Sequence, residues 1–412
     1  MNEEYLLNLA QESNNKQAWI GTRPPFNMEV VDLLNCTNFR LTPEYHQKYD
    51  VVWLYEHMLS DLKYNGWKII LDETIRMISQ KGKIVIRSCE TEQMTIVKIK
   101  SYFYRRYGLN VFLEFESFNK ESMIWTIVLN VQRENFELYK DSSWTFAMLT
   151  SGKKEENVLK FIKSIRNSEE GLKHEIIIAG PRSKNYDIYN VKYLDLSDFR
   201  DEQYAEISRK KNAIANIATK ANILIAHDRY VLSDSFFSGF KNFGYDFDFL
   251  TIKQYYESGK EFPAYCCRAS SDLIWATPFK VDNYNQCYES QYINGGLMIF
   301  KTNTLKNIKF NDLLMWNQME DVEICKEFIK CGIVPRMNYF SAAKTLGISE
   351  KYTETFKKVP RNLELIVNPV NMELEDYDEK NNYIYSFIAK ILPKKFKSSK
   401  FYLKIRKKLI GR

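Results

Sequence analysis

Three apolar runs in the middle of the chain each end on residues able to bind or react. The first closes at Thr150, the second at Gly180 and the third at His227-Asp228-Arg229. In open α/β sheets, ligands sit past the carboxyl ends of the strands, so these three positions predict one shared site. Asp228 is a carboxylate that a hard divalent cation could take. His227 reads either as a second ligand or as a strand-end imidazole bonded to backbone. Arg229 is suited to neutralising a phosphate directly. A second acidic point, Glu320-Asp321, opens an apolar helical stretch (Val322, Ile324, Phe328, Ile329). Two adjacent carboxylates there either act as a base or simply favour the helix N-terminus.

The elements that must position these groups follow from spacing. Trp144–Thr150, His174–Gly180, Val191–Leu196 and Asn222–Ala226 read as strands. Lys153–Ile165 and Ser208–Ala221 read as the helices between them, and the alternation predicts an α/β domain over 142–370. Upstream, Asp50–Leu54 and Lys83–Arg87 read as strands, with helices over Leu59–Ile78 (ended by Gly82) and Thr91–Tyr107. Leu109–Phe115 and Met123–Val131 read as a closing hairpin. This predicts a smaller α/β unit over 1–135.

Composition bounds the function. The chain has 412 residues with 45% hydrophobic and 27% charged, a core-forming balance that excludes a disordered or fibrous protein. Seven cysteines without a C-x-x-C pair argue against a zinc ribbon or a disulfide scaffold and fit a reducing cytosol. Cys266 and Cys267, being adjacent, read as free thiols. No apolar run approaches a membrane span, and the acidic start is no secretory signal. The net charge is +7, yet ten basic and no acidic residues lie between Lys390 and Arg412, which leaves 49 basic against 52 acidic elsewhere. A nearly neutral body excludes a general nucleic-acid surface. The tail over 380–412 interleaves its basic residues with Phe387, Ile391, Phe401, Leu403 and Leu409. That pattern reads as a basic amphipathic helix pair, broken near Pro393, on an anionic membrane, with the protein cytoplasmic and peripheral at the inner face of the cell membrane; the other reading is a disordered basic terminus.

Two family resemblances bear on these elements. Asp50-Val51-Val52-Trp53, Glu56-His57-Met58 and the run Ile75–Arg87 resemble the second half of a class I methyltransferase-like Rossmann domain. No glycine cluster precedes Asp50 and Gly21 stands alone, so the resemblance implies a truncated, cofactor-free relative serving as a scaffold. The longer resemblance is to GT-A glycosyltransferases of the inverting family 2-like group. It is carried, in order, by Ala147–Ser151, by Arg209-Lys210-Lys211-Asn212-Ala213 with Ala221–Ala226, by His227-Asp228-Arg229 in the place of an Asp-x-Asp motif, by Asn294-Gly295-Gly296-Leu297, and by Trp316–Glu323.

The resemblance implies a nucleotide-sugar donor, a UDP-sugar first, and transfer with inversion to a saccharide or lipid-linked acceptor of bacterial surface polysaccharide. It implies Asp228 as ligand to Mn²⁺ or Mg²⁺, and Thr150, Gly180, Lys211, Asn212, His227 and Arg229 at the donor. Lys211 reads equally as part of a solvated helix face. Asp321, with Glu320 beside it, is implied as the base, and Gly295, Gly296 and the aromatic Trp275 as acceptor contacts. The single carboxylate at residue 228 departs from the family, which motivates an alternative: a non-catalytic GT-A-like binding or assembly subunit.

Overall fold

A computed structural model describes residues 2–358, apart from 63–65, 93, 169, 201–203, 271, 273–275 and 289. Trp275 and the basic segment 380–412 therefore lie outside the described residues. Residues 1–359 form one compact unit built on two large sheets and one small one.

The first sheet uses β1 (Gln17–Ile20), β2 (Glu29–Val31), β3 (Tyr49–Leu54), β4 (Ile78–Cys89), β5 (Val111–Asn119) and β6 (Ile124–Gln132) in the order β2-β1-β3-β4-β6-β5. The first four are parallel, and β6 and β5 close the sheet antiparallel. Helices α1 (Asn2–Gln11), α2 (Gly66–Met77) and α3 (Ile96–Tyr107) accompany it. The hydroxyl of Thr95 accepts from the Lys98 N–H and starts α3, and Gly108, at φ +55°, ends it.

Parts of this half differ from the sequence reading. The helix placed over 59–78 begins only at Gly66. Gly82 does not end it but lies inside β4, where a Cβ would stand 2.7 Å from the Asp50 carbonyl oxygen. β1 and β2 were not read at all, because three or four residues are too few to show a period.

The second sheet carries β7 (Trp144–Leu149), β8 (Glu175–Ala179), β9 (Lys192–Tyr193), β10 (Asn222–His227), β11 (Tyr230–Leu232) and β12 (Phe249–Tyr255). A small antiparallel group follows, β13 (Tyr265–Arg268), β14 (Pro278–Lys280) and β15 (Gln291–Ile293), and then β16 (Leu297–Lys301) and β17 (Arg336–Thr345) rejoin the second sheet. β18 (Lys357–Lys358) adds to β14. The order is β11-β17-β12-β16-β10-β7-β8-β9. Its strands β9, β8, β7 and β10 run parallel, so the ends of β7, β8 and β10 face the same way. These central strands are buried on both faces, which explains their unbroken apolar runs.

The connecting helices are α4 (Glu155–Arg166), α5 (Lys184–Asp187), α6 (Ile207–Ile217), α7 (Ser235–Phe243), α8 (Thr302–Asn307) and α9 (Glu320–Lys330). α4 carries the fullest set of helix signals among them. Val158, Phe161, Ile162 and Ile165 fill its buried face, Glu155 and Glu156 stand in its first turn, and Lys163 and Arg166 stand in its last.

Each large sheet has its own apolar core, and the two meet through buried charge. Arg76 of α2 donates to Asp72 in its own helix and to Asp246 and Asp248 just before β12, at 3.1, 2.7 and 3.1 Å. Arg106 pairs with Asp72 and Asp248, Arg133 with Asp246, and Arg336 with Asp72 and Glu73. Arg40 pairs with Glu73 and donates to the carbonyls of Phe243 and Asp246. Burial pushes the Asp248 carboxyl up, but Arg106 and Arg76 outweigh it and hold it at about 2. The same contest, won by Arg133 and Arg76, holds Asp246 below the ordinary range.

Removing one partner strands the rest in a dry interior. Arg76→Met is expected to lower unfolding free energy by about 3–5 kcal/mol, read from denaturant midpoints. A depressed carboxylate stabilises above its unfolded value, near 3.8, and loses that contribution as the pH falls through about 2. Wild type is thus expected to weaken below about pH 4, and Asp248→Asn to flatten that acid limb. An unchanged limb in the variant would exclude Asp248 as its source.

Candidate functional site

The site is assembled where β7, β8 and β10 end. The hydroxyl of Thr150, just after β7, donates to Asp228 Oδ2 at 2.8 Å and accepts from the Gly152 N–H at 3.0 Å. Gly180, just after β8, is pressed against Thr150; a Cβ there would lie 2.5 Å from the Thr150 carbonyl oxygen. Asp228 itself is fixed by backbone, its N–H donating to Leu149 and its carbonyl accepting from the Asn157 amide. The strand-end prediction therefore brings Thr150, Gly180 and Asp228 together. It missed Lys154, whose ammonium stands 3.9 Å from Asp228 Oδ1 across a partly exposed gap. Lys154 lies four residues beyond Thr150, in the loop between β7 and α4, so extending the strand-end rule along that loop would have found it.

His227 and Arg229 flank this carboxylate in different states. The His227 Nε2 is buried and has no hydrogen-bond partner among the described residues. Burial, and then the charges of Lys211, Arg229 and Lys154, hold its imidazole neutral, well below the usual histidine range. The Arg229 guanidinium lies 5.4 Å from the Tyr230 ring centre and 5.9 Å from that of Phe262. These faces orient it and favour its charge.

The second half of the site is α9. Asp321 stands in its first turn, where Oδ1 accepts from the Val322 N–H and Oδ2 from the Gly295 N–H, each at 2.9 Å. Burial and then the neighbouring charge of Glu320 push its carboxyl up to about 6, against the pull of the Gly295 N–H and Lys211. Glu320 is buried and pairs at 3.2 Å with the fully buried ammonium of Lys211, which also donates to the Gly295 carbonyl. Met319, immediately before the helix, takes a left-handed backbone at φ +65°.

Asn294-Gly295-Gly296 ties the halves together. A Cβ on Gly295 would meet Asp321 Cβ at 2.8 Å and Glu320 Oε1 at 3.0 Å. A Cβ on Gly296 would meet Arg229 Nη2 at 2.4 Å and the Tyr230 hydroxyl at 2.8 Å. The Gly296 carbonyl also accepts from the His227 N–H. One peptide unit thus separates the surroundings of the α9 carboxylates from those of the β10 terminus. Both glycines pack against site side chains, in place of the open acceptor surface expected of them.

Two other expected contacts are taken up internally. The Asn212 amide donates to the Phe310 carbonyl and to Asp312, and its carbonyl oxygen accepts from the Phe310 N–H, so it pins the segment after α8. Lys211 is no solvated helix face; it is the counter-charge of Glu320. Cys266 and Cys267 are free and buried, and burial pushes both thiols above their ordinary range.

Asp228 and His227 are the side chains at this end that could hold a cation together with a ligand. Asp228 offers one carboxylate, and His227 Nε2 is a buried neutral nitrogen without a partner. Among the described residues, no three His, Cys, Asp or Glu side chains gather as a metal cluster.

No protein-family model and no curated protein sequence matches the chain. Among solved structures it is similar to one described as GalNAc-T7 with UDP, GalNAc and Mn²⁺, at 13% identity and a TM-score of 0.38, over 71% of this chain and 56% of that one. This chain therefore spans little more than half of that protein's length. It is also similar to S. aureus TarS 1-349, at 14% identity and a TM-score of 0.33, over 58% of this chain and 68% of that one. A further S. aureus TarS structure shares 13% identity and a TM-score of 0.32, over 58% and 41%. At these scores the likeness is distant, and the chemistry rests on the residues themselves.

Proposed function

We propose that this protein is a glycosyltransferase that moves a sugar from a nucleotide-sugar donor, a UDP-sugar first, to a hydroxyl of a saccharide or lipid-linked acceptor, with inversion. The observation that carries this reading is the convergence across Gly295-Gly296. A half-buried carboxyl raised toward neutrality stands on one side, and a carboxylate with a neutral histidine and an arginine stands on the other. Chemistry of this class needs those two halves close together. The acceptor O–H loses its proton to Asp321 as its oxygen bonds the sugar carbon. The bond from that carbon to the diphosphate breaks on the opposite side, and the diphosphate leaves with both electrons. A base whose proton affinity lies near the working pH suits that step. Glu320 raises Asp321, and Lys211 supplies the counter-charge of Glu320 within the interior.

Negative charge on the leaving diphosphate must be met at the β10 end. Arg229 and Lys154 supply fixed positive charge there. Asp228 and His227 would hold a divalent cation, Mn²⁺ or Mg²⁺, jointly with the donor phosphates, and when bound it supplies further charge stabilisation. The basic segment 380–412 would keep the protein on an anionic membrane near a lipid-linked acceptor, a role in surface polysaccharide synthesis at the cytoplasmic face.

Two outcomes test the reading. Asp321→Asn is expected to lower kcat by about 10²–10⁴ while leaving the folded state intact, because the change removes a repulsion with Glu320. In the wild type, turnover should rise with pH through about 6, since the base acts only when ionised. Near-normal turnover of the variant would exclude Asp321 as the base. Thermal unfolding separates the roles at the other end. Mn²⁺ alone is expected to shift nothing, whereas Mn²⁺ with the cognate UDP-sugar at 100 times its dissociation constant should add about 2.7 kcal/mol. A shift that persists in chelator would assign the charge to Arg229 and Lys154. No shift and no turnover across a panel of nucleotide sugars would support a binding subunit instead.

A further inference from the structure

At the opposite ends of β10 and β16 lies a second, half-open cavity of about 320 Å³. Asn222, which begins β10, is paired with Lys301, which ends β16. β10 is six residues long, so this cavity lies on the order of 16 Å from His227 along the strand. It is bounded by both large sheets: Arg105, Arg106 and Arg133 come from the first, and Lys301, Asp248 and α8 from the second.

Its floor and its rim differ in a telling way. On the floor, Arg106 and Arg133 are held by Asp248 and Asp246, and the buried Lys301 ammonium donates to two neutral acceptors, the Leu138 carbonyl and Asn222 Oδ1. On the rim, the side chains of Arg105, Asn135, Asn303 and Asn307 have no hydrogen-bond partner among the described residues. Of the four basic side chains in the lining, Arg106 and Arg133 are matched by Asp72, Asp246 and Asp248 and burial lowers Lys301 to about 7, so the charge left open to a ligand is that of Arg105. One guanidinium without an ion-pair partner among the described residues, Arg105, with the three rim amides Asn135, Asn303 and Asn307 beside it, matches an oxyanion that also carries hydroxyls. The guanidinium takes the charge in a fork, and the amides donate to and accept from the hydroxyls.

We propose that this cavity is a second ligand site, distinct from the one around Asp228 and Asp321, which binds a small hydroxylated anion such as a uronate or a sugar phosphate. Because its walls come from both sheets, such a ligand binds the assembled unit and stabilises it as a whole. The inference is independent of the role given to Asp321, and its test reads no turnover.

Calorimetric titration of the full chain with glucuronate, glucose 6-phosphate, glucose and inorganic phosphate tests it. Glucuronate or glucose 6-phosphate should bind, and which of the two binds tighter tells a carboxylate from a phosphate source. Glucose should bind at least about tenfold more weakly, because it lacks the charge-assisted contact. Inorganic phosphate should also be weaker, because it lacks the hydroxyls. Arg105→Ala should weaken the anionic sugar by about tenfold or more. Asn307→Asp, which sets a like charge on the rim, should weaken it too, and both changes lie at exposed positions where folding is not at stake. Equal affinity in wild type and both variants, equal affinity for glucose and glucuronate, or no binding of either anionic sugar would each overturn the proposal.

Discussion

The buried lattice of arginines and carboxylates between the two sheets is the constraint on which the remaining structure depends. Arg76 reaches three carboxylates, and Arg40, Arg106, Arg133 and Arg336 complete the pairing. Charges taken out of water are tolerable only when every one is matched, so the lattice demands a single relative placement of the strands that carry its members. Asp246 and Asp248 stand immediately before β12, and the Asp248 carbonyl accepts from the Lys301 N–H at the end of β16. Fixing that end of β12 and β16 sets the register of the second sheet, and with it the height at which β10 delivers His227-Asp228-Arg229. The first sheet thus acts as a template for the second, whatever else it does.

The same logic, on a smaller scale, governs the α9 carboxylates. Glu320 is affordable in the interior because Lys211 lies against it, and Asp321 is left with backbone N–H groups and a like charge. Its proton affinity is therefore a product of packing rather than of residue type. The histidine on the other side is governed by the same balance in reverse, with burial and surrounding cations keeping it uncharged.

Much of this was legible in the chain and some was not. β7, β8, β10 and α4 announce themselves because a strand or helix face that is buried continuously must be written in apolar residues. Thr150, Gly180 and Asp228 follow from them by direction alone. The charged lattice was illegible for the opposite reason. The segment Leu71-Asp72-Glu73-Thr74-Ile75-Arg76 resembles an ordinary helix with a wet face, yet all six residues are buried. Their partners lie up to 264 residues away, beyond the reach of any local period. Asn212 misled in the same manner: a polar residue beside three basic ones suggests a ligand contact, but Phe310 and Asp312 occupy its amide from 98 and 100 residues downstream.

The two glycines also limit how such a protein can diversify. Gly295 abuts Asp321 and Gly296 abuts Arg229 so closely that no side chain fits at either position without displacing one of these neighbours. The wall between the two halves of the site is therefore closed to tuning, because any substitution that altered ligand preference there would first dismantle the chemistry. Selectivity has to be written on surfaces that can change without cost. The stretch just before α9 offers one, with Leu313 81% and Trp316 67% exposed a few residues ahead of Glu320. Two close-packed glycines beside an exposed apolar loop thus divide the part of the site that cannot take a side chain from the part that can.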